Sequence, residues 1–147
     1  MPSRPIDLPT LPCSCASLRR ATRAVTQLYD EELRPLGLRA TQFTLLQTLA
    51  TAGEISQGGL GRILALDSTT LTRTLAPLQQ HGWAKSRPGA DRRERLYSLT
   101  REGQAVLEEA RPLWERAQDR LRSSLGEPEW EALQQLLDRT TVAALGA

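Results

Sequence analysis

The sequence has little of what most enzymes need at an active site. Its 147 residues include one histidine and two cysteines. A single histidine excludes zinc sites built from several histidines, and neither a Gly-x-Ser-x-Gly elbow nor a Gly-Lys-Ser/Thr phosphate loop is present. His81, beside Gly82, is typical of the last turn of a helix rather than of a general base. The sequence therefore predicts a protein that is not an enzyme and that uses no cofactor.

Long apolar runs are also missing. No stretch of about 18 apolar residues occurs, and the N-terminal residues lack the apolar segment of a signal peptide. Cys13 and Cys15 are separated by one residue, which is too close for an ordinary structural disulfide. We therefore expect a cytoplasmic protein with no membrane partner and no disulfide framework.

Charge is unevenly distributed along the chain, although the formal net charge is only +2. Residues 62–101 carry eight basic and three acidic side chains, a net charge of +5, whereas residues 102–138 carry four basic and nine acidic ones, a net charge of −5. A basic segment followed by an acidic one predicts one surface that binds a polyanion and another that does not.

The apolar pattern predicts a mainly helical chain after a short arm. Residues 1–12 contain four prolines and no periodicity, which indicates a flexible arm. Helical spacing then covers Cys13–Leu33 and Thr41–Thr51, and a glycine follows each run. Ser56 can cap a short helix that ends at Leu64. Glycines weaken that helix, and we expect a close helix-to-helix contact at Gly61 to explain one of them.

The next predicted helix, Ser68–Gln80, has two different faces. Asp67 is a suitable N-cap, and His81-Gly82 can end the helix. One face carries three leucines, and the opposite face is small, polar and basic. Such a face can approach base edges in a DNA major groove, although an ordinary solvated face has the same composition. The residues on this second face are Thr69, Thr72, Arg73 and Ala76.

Two strand-like runs, WAKSR and RLYSLT, flank the turn PGADRRER and predict a β-hairpin with a basic tip. Two short helices followed by such a hairpin are the element order of a winged helix-turn-helix. The wing would place its arginines along the minor groove or the phosphate backbone. Asp91 is expected to hold the Arg93 side chain by a charge-assisted hydrogen bond.

The stretch STTLTRTLAPLQQHGWAKSRPGADRRERLYSLTREG resembles the signature of the MarR family of bacterial transcriptional regulators, and the resemblance extends from about residue 13 to the C-terminus. It implies a homodimer that binds a pseudo-palindromic operator in double-stranded DNA, usually as a repressor released by a small-molecule ligand or by oxidation. Gly61 departs from the pattern, since an alanine is more usual there. The residues expected to contact DNA are Ser68, Thr69, Thr70, Thr72, Arg73 and Ala76 of the helix and Asp91, Arg92, Arg93 and Arg95 of the wing.

The C-terminal part predicts two further helices. Thr100 can cap a long helix to about Ser124, which Pro112 should interrupt and bend, and Pro128 can begin another helix. Apolar faces outside the winged region favour a homodimer over a compact monomeric bundle. The expected fold class is mainly α with a small β-hairpin wing. Its expected parts are an arm (1–12), a first dimerisation helix (13–40), a winged helix-turn-helix DNA-binding domain (41–100) and C-terminal dimerisation helices (101–147).

An alternative function is a winged-helix protein-protein interaction module that does not bind DNA. The basic wing argues against this alternative, because an adaptor has no need of it.

Cys13 and Cys15 allow three interpretations: a redox sensor, a metal or soft-ligand site, and small residues packed at an interface. The field of the helix N-terminus and nearby arginines favour a thiolate. The organic-hydroperoxide-sensing branch of the MarR family resembles this segment, with a sensing cysteine at Cys15 and a tyrosine at Tyr29. Arg19 stands where that branch has another tyrosine. The resemblance implies that a hydroperoxide is one possible effector.

Overall fold

The computed structural model describes residues 6–146, which form six α-helices and three short strands. No regular structure precedes the first helix in residues 6–12, and the part of the predicted arm at residues 1–5 lies outside the described residues. The elements in chain order are α1 (Ser14–Leu33), a 3-10 turn (Arg34–Leu36), α2 (Ala40–Ala52), β1 (Ile55–Ser56), α3 (Gln57–Leu64), α4 (Ser68–Gln80), β2 (Ala84–Pro88), β3 (Arg95–Leu99), α5 (Arg101–Leu125) and α6 (Glu127–Leu145).

Short polar side chains begin three of these helices, as predicted. Ser56 accepts a hydrogen bond from the Gly59 amide at 3.0 Å, and Asp67 accepts one from the Thr70 amide at 2.8 Å. Thr100 caps α5 in the same way. Each cap satisfies an amide that has no partner within its own helix. The boundaries of α3, α4 and α5 therefore follow from local sequence.

The three strands form one antiparallel sheet in the order β1-β3-β2. The predicted hairpin is confirmed, with Ala84 opposite Leu99 and Pro88 opposite Arg95. Strand β1 was not predicted, because two residues are too few to show an alternating pattern. It pairs with β3 and places the start of α3 beside the wing.

The core lies where the apolar face of α4 meets α2, α3 and β2, and α5 adds Leu107 and Ala110 to it through its contact with α2. Leu71, Leu75 and Leu78 are fully buried, which confirms the predicted core face of α4. Phe43 and Trp114 stack with ring centroids 5.6 Å apart and join α2 to α5. The other fully buried large side chains are Leu33, Leu45, Leu46, Leu49, Leu60 and Leu107.

Two glycines mark close approaches of the backbone. A Cβ at Gly61 would lie 2.9 Å from the Leu66 carbonyl oxygen and 3.7 Å from the Leu71 side chain. The close contact predicted at Gly61 therefore exists, but its nearest partner is the turn before α4 rather than the helix itself. A Cβ at Gly103 would lie 2.1 Å from the Trp83 carbonyl oxygen. The base of the wing thus rests directly on the first turn of α5.

Helix α5 continues through Pro112, so the predicted interruption is wrong. Proline removes one backbone hydrogen bond, but buried Ala110 and Ala117, one on either side of Pro112, hold the helix against its neighbours.

Polar contacts join α1 to α5. The Tyr29 hydroxyl donates to Gln118 at 2.5 Å, and Glu32 pairs with Arg116 and Arg120.

Helix α6 buries none of its described side chains. Leu136, Leu137, Val142 and Leu145 are all exposed on it. The chain has an accessible surface of 10526 Å², whereas a compact monomer of 16.3 kDa exposes about 7,500 Å². The chain therefore exposes about 3,000 Å² more than a compact monomer of its mass.

Candidate nucleic-acid interface

The outer face of α4 presents small polar groups and one arginine. Ser68, Thr69, Thr72 and Arg73 are exposed, and Ala76 is half-buried beside them. Asp67 caps the helix, and the pKa of its carboxyl is held below the usual range chiefly by the hydrogen bond from the Thr70 amide. The face is therefore capped at its N-terminal end, and Arg73 is its one long side chain.

Thr70 differs from the other predicted contact residues of α4. It is half-buried, and its hydroxyl donates to the Asp67 carboxylate at 2.7 Å. The side chain thus belongs to the cap of the helix. Its predicted contact with DNA would require this hydrogen bond to break.

Gln57, the first residue of α3, was missed by sequence reasoning. Its side-chain amide donates to the Thr72 hydroxyl at 2.8 Å and lies 3.3 Å from both the carbonyl and the hydroxyl oxygens of Ser68. The Tyr97 hydroxyl, on β3, donates a hydrogen bond to the side-chain carbonyl oxygen of Gln57 at 3.5 Å. Gln57 therefore joins α4, the predicted recognition helix, to strand β3 of the wing, and only the fold brings these residues together.

The wing tip is built differently from the prediction. The Asp91 carboxylate accepts a hydrogen bond from the backbone amide of Arg93 at 3.0 Å, not from its guanidinium. A short aspartate side chain reaches the amide two residues ahead more easily than it reaches a guanidinium, which is the geometry of an Asx turn. The predicted Asp91–Arg93 side-chain pair is therefore wrong. The guanidiniums of Arg92 and Arg93 form no ion pair with any residue in 6–146 and are exposed.

Arg95 and Arg87 stand further down the wing. Arg95 donates to the Ser86 hydroxyl across the hairpin at 2.6 Å. Arg87 makes two hydrogen bonds to the Glu54 carboxylate, at 2.5 and 2.8 Å. The guanidinium of Arg87 holds the pKa of Glu54 below its ordinary value. This unpredicted pair ties the part of β2 nearer the wing tip to the turn before β1. The positive charge of Arg87 is therefore paired within the protein.

Helix α3, the first turn of α4 and the wing tip border one open groove of about 1050 Å³, which Leu145 of α6 also lines. Arg62 of α3 lines this groove together with Ser68, Arg93 and Arg95, and Asp91 and Glu94 also reach it. Three arginines around an open groove suit an elongated anion better than a small enclosed ligand.

The cysteine segment lies far from this groove in the chain. Cys13 and Cys15 are both exposed free thiols at the start of α1. Tyr29 lies on the same helix 14 residues beyond Cys15, which corresponds to about 21 Å, so one chain does not bring the two together. Burial raises the pKa of the Tyr29 hydroxyl. Within residues 6–146 no group of three or more histidine, cysteine or acidic side chains is arranged to hold a metal ion.

No helix within residues 6–146 is long and apolar enough to cross a membrane.

The element order, the capped recognition helix and the arginine wing define a winged helix-turn-helix protein. Residues 38–94 match the model of the MarR family. The chain is 34% identical over 92 residues to the uncharacterized HTH-type transcriptional regulator YwoH of Bacillus subtilis, covering 63% of this chain and 67% of that protein. It is 35% identical over 88 residues to the multiple antibiotic resistance protein MarR of Escherichia coli, covering 59% of this chain and 61% of that protein.

Solved structures match over nearly the whole chain. The M. tuberculosis transcriptional regulator MosR in complex with DNA superposes with a TM-score of 0.84 at 34% identity, covering 91% of this chain and 97% of that one. A mutant MarR from E. coli complexed with operator DNA has a TM-score of 0.77 at 29% identity, covering 86% and 91% of the two chains. This chain belongs to the MarR family.

Proposed function

We propose that the protein is a DNA-binding transcriptional regulator that recognises a pseudo-palindromic operator as a homodimer in the cytoplasm. The observation that carries this proposal is the exposed outer face of α4. It carries Thr69 and Arg73, and its first residue, Ser68, lines the same groove as the wing residues Arg93 and Arg95. The relatives are described as transcriptional regulators, which supports a regulator rather than an enzyme.

Two copies of the chain are needed for this function. The exposed apolar side chains of α6 are features of a subunit rather than of a stable monomer. The excess surface of about 3,000 Å² per chain agrees with this, although the exposed residues 6–12 account for part of it. Obligate homodimers bury about 2,000–5,000 Å² in total, which the faces of α1, α5 and α6 can supply. Residues 13–40 and 101–147 would then form the dimerisation region, and residues 41–100 the DNA-binding domain.

Repression released by a ligand or by thiol oxidation is the regulation that the family membership favours. A relative crystallised in both oxidised and reduced forms supports the second route, and so do the two exposed thiols of this chain. A protein-protein module without DNA binding is the weaker candidate, because Arg92 and Arg93 at the wing tip have no internal role.

Selection of binding sites from random duplex DNA tests the proposal, combined with light scattering on the same protein. We expect a dimer at micromolar concentration and selected sites with two-fold symmetry and half-sites about 10 base pairs apart. A monomer in solution, sites without symmetry, or failure to enrich any sequence would contradict it.

A further inference from the structure

The four threonines of α4 use their hydroxyls in different ways. Thr70 donates to Asp67 at 2.7 Å, Thr74 to the Thr70 carbonyl at 2.7 Å, and Thr72 to the Ser68 carbonyl at 2.9 Å. The Thr69 hydroxyl makes no hydrogen bond with any residue between 6 and 146. Two exposed threonines on the DNA-facing side, Thr69 and Thr72, therefore differ in what they can offer a base.

The Thr72 hydroxyl already makes two hydrogen bonds within the protein. It donates its only hydrogen to the Ser68 carbonyl and also accepts a hydrogen bond from the Gln57 side-chain amide at 2.8 Å. A hydroxyl has one donor and two lone pairs, so one lone pair and the methyl group remain. Gln57 is itself held by the Ser68 oxygens, which keeps the hydroxyl turned toward the protein.

While Thr72 keeps its hydrogen bond to the Ser68 carbonyl, it cannot donate one to guanine N7 or O6, to adenine N7 or to thymine O4, which are the acceptors of the major groove. It can offer an apolar surface, and thymine is the one base whose major-groove edge carries a methyl group. We propose that Thr72 reads a thymine through contact between its methyl group and the 5-methyl group of the base, with Gln57 as the positioning residue. This inference rests on the proposed DNA binding by α4.

Replacing thymidine by deoxyuridine tests the contact, because the change removes only the 5-methyl group. In the selected operator, each thymidine would be replaced singly and the affinity of the wild-type protein measured. We expect one position in each half-site where the replacement weakens binding about fourfold, the value of one buried methyl group. Replacing both symmetric positions should weaken binding about fifteenfold.

Two substitutions of Thr72 separate the methyl group from the hydroxyl. Thr72→Ser removes the methyl group and should abolish the deoxyuridine effect at that position. Thr72→Val keeps a methyl group and removes the hydroxyl, so the deoxyuridine effect should persist. Thr69→Ser is the matched control on the same face and should leave the effect at the Thr72 position unchanged.

Gln57→Leu tests the positioning role, since leucine is of similar size but cannot donate. We expect a smaller deoxyuridine effect at the Thr72 position, with the effects at other thymidines unchanged. A general loss of affinity with the same deoxyuridine pattern would instead show a merely structural role.

The opposite pattern would overturn the inference. If Thr72→Ser keeps the wild-type pattern and Thr72→Val abolishes selective binding, the remaining lone pair reads an adenine or cytosine amine instead. Binding of the selected operator without any deoxyuridine effect would overturn the methyl contact alone. Failure of the wild-type protein to bind any duplex would overturn the proposed function as well.

Discussion

Gly103→Ala should destabilise the protein although it removes a glycine from a helix. Gly103 lies in the first turn of α5, directly beneath the peptide that joins Trp83 to the wing. An added Cβ would lie 2.1 Å from the Trp83 carbonyl oxygen and 2.8 Å from the Leu99 side chain. The oxygen is a backbone atom, so the clash cannot be relieved by a change of rotamer.

The size of the effect follows from two opposing terms. Overpacking a filled site costs about 1–3 kcal/mol, and the upper end applies because the backbone must retreat by about 1.3 Å to reach the 3.4 Å of ordinary contact. Alanine in place of glycine returns about 1 kcal/mol of helix propensity. The net loss is about 2 kcal/mol, which lowers the melting temperature by about 4–8 °C in a chain of this length.

Two matched Gly→Ala variants serve as controls in thermal melts at one fixed protein concentration, because dimer melting depends on concentration. A Cβ at Gly58 would meet only the Arg62 guanidinium at 3.8 Å, so Gly58→Ala should stabilise α3 by about 0.5–1 kcal/mol. Gly61→Ala, with a clearance of 2.9 Å, should fall between the two. A Gly103→Ala variant that melts at or above the wild type would refute the reasoning.

Three further outcomes are expected. Arg93→Ala should weaken binding to every DNA sequence and lower the salt slope by about one, whereas Arg73→Ala should cost about 1–3 kcal/mol of binding free energy and change the sequence preference. The control Arg111→Ala, at an exposed position of α5, should have neither effect. Identical behaviour of the first two variants in a salt series would contradict these roles. Glu54→Gln should lower the melting temperature at pH 7. Because the pKa of Glu54 in the folded protein lies below its ordinary 4.5, the difference from the wild type should decline as the pH falls below 4.5 and vanish once the folded carboxyl is protonated. A difference independent of pH would show that the ion pair with Arg87 is not its cause. Cumene hydroperoxide should release the wild type from its operator, reversibly on reduction with dithiothreitol, and leave Cys15→Ser bound; unchanged affinity of wild-type protein shown by mass to be oxidised would leave Cys15 as a packing residue.

Much of the winged region is encoded locally and was therefore predictable. The caps at Ser56, Asp67 and Thr100 each bind an amide three residues ahead, and such spacing is visible in a sequence. The leucines of α4 recur at the helical period, which fixes both its buried face and, by exclusion, its outer face. The outer face of α4 could be predicted because it consists of the helix positions that lie opposite the buried leucines.

The remaining parts of the site depend on contacts between distant residues. Gln57 meets Thr72 fifteen positions away, and Glu54 meets Arg87 thirty-three positions away; nothing in either local pattern selects these partners. The prediction for Asp91 was wrong for a different reason. Both the backbone amide and the guanidinium of Arg93 are possible donors to its carboxylate, and sequence spacing did not distinguish between these two donors.

The contact between the wing base and α5 gives the long helix the character of a lever. Helix α5 has 25 residues and is therefore about 37 Å long; its first turn touches the Trp83 peptide, and its far half is fastened to α1 through Glu32. A tilt of about 3° about the far end displaces the wing end by about 2 Å. A small reorientation among α1, α5 and α6 is thereby magnified at the DNA-facing surface, without any change in the recognition helix itself.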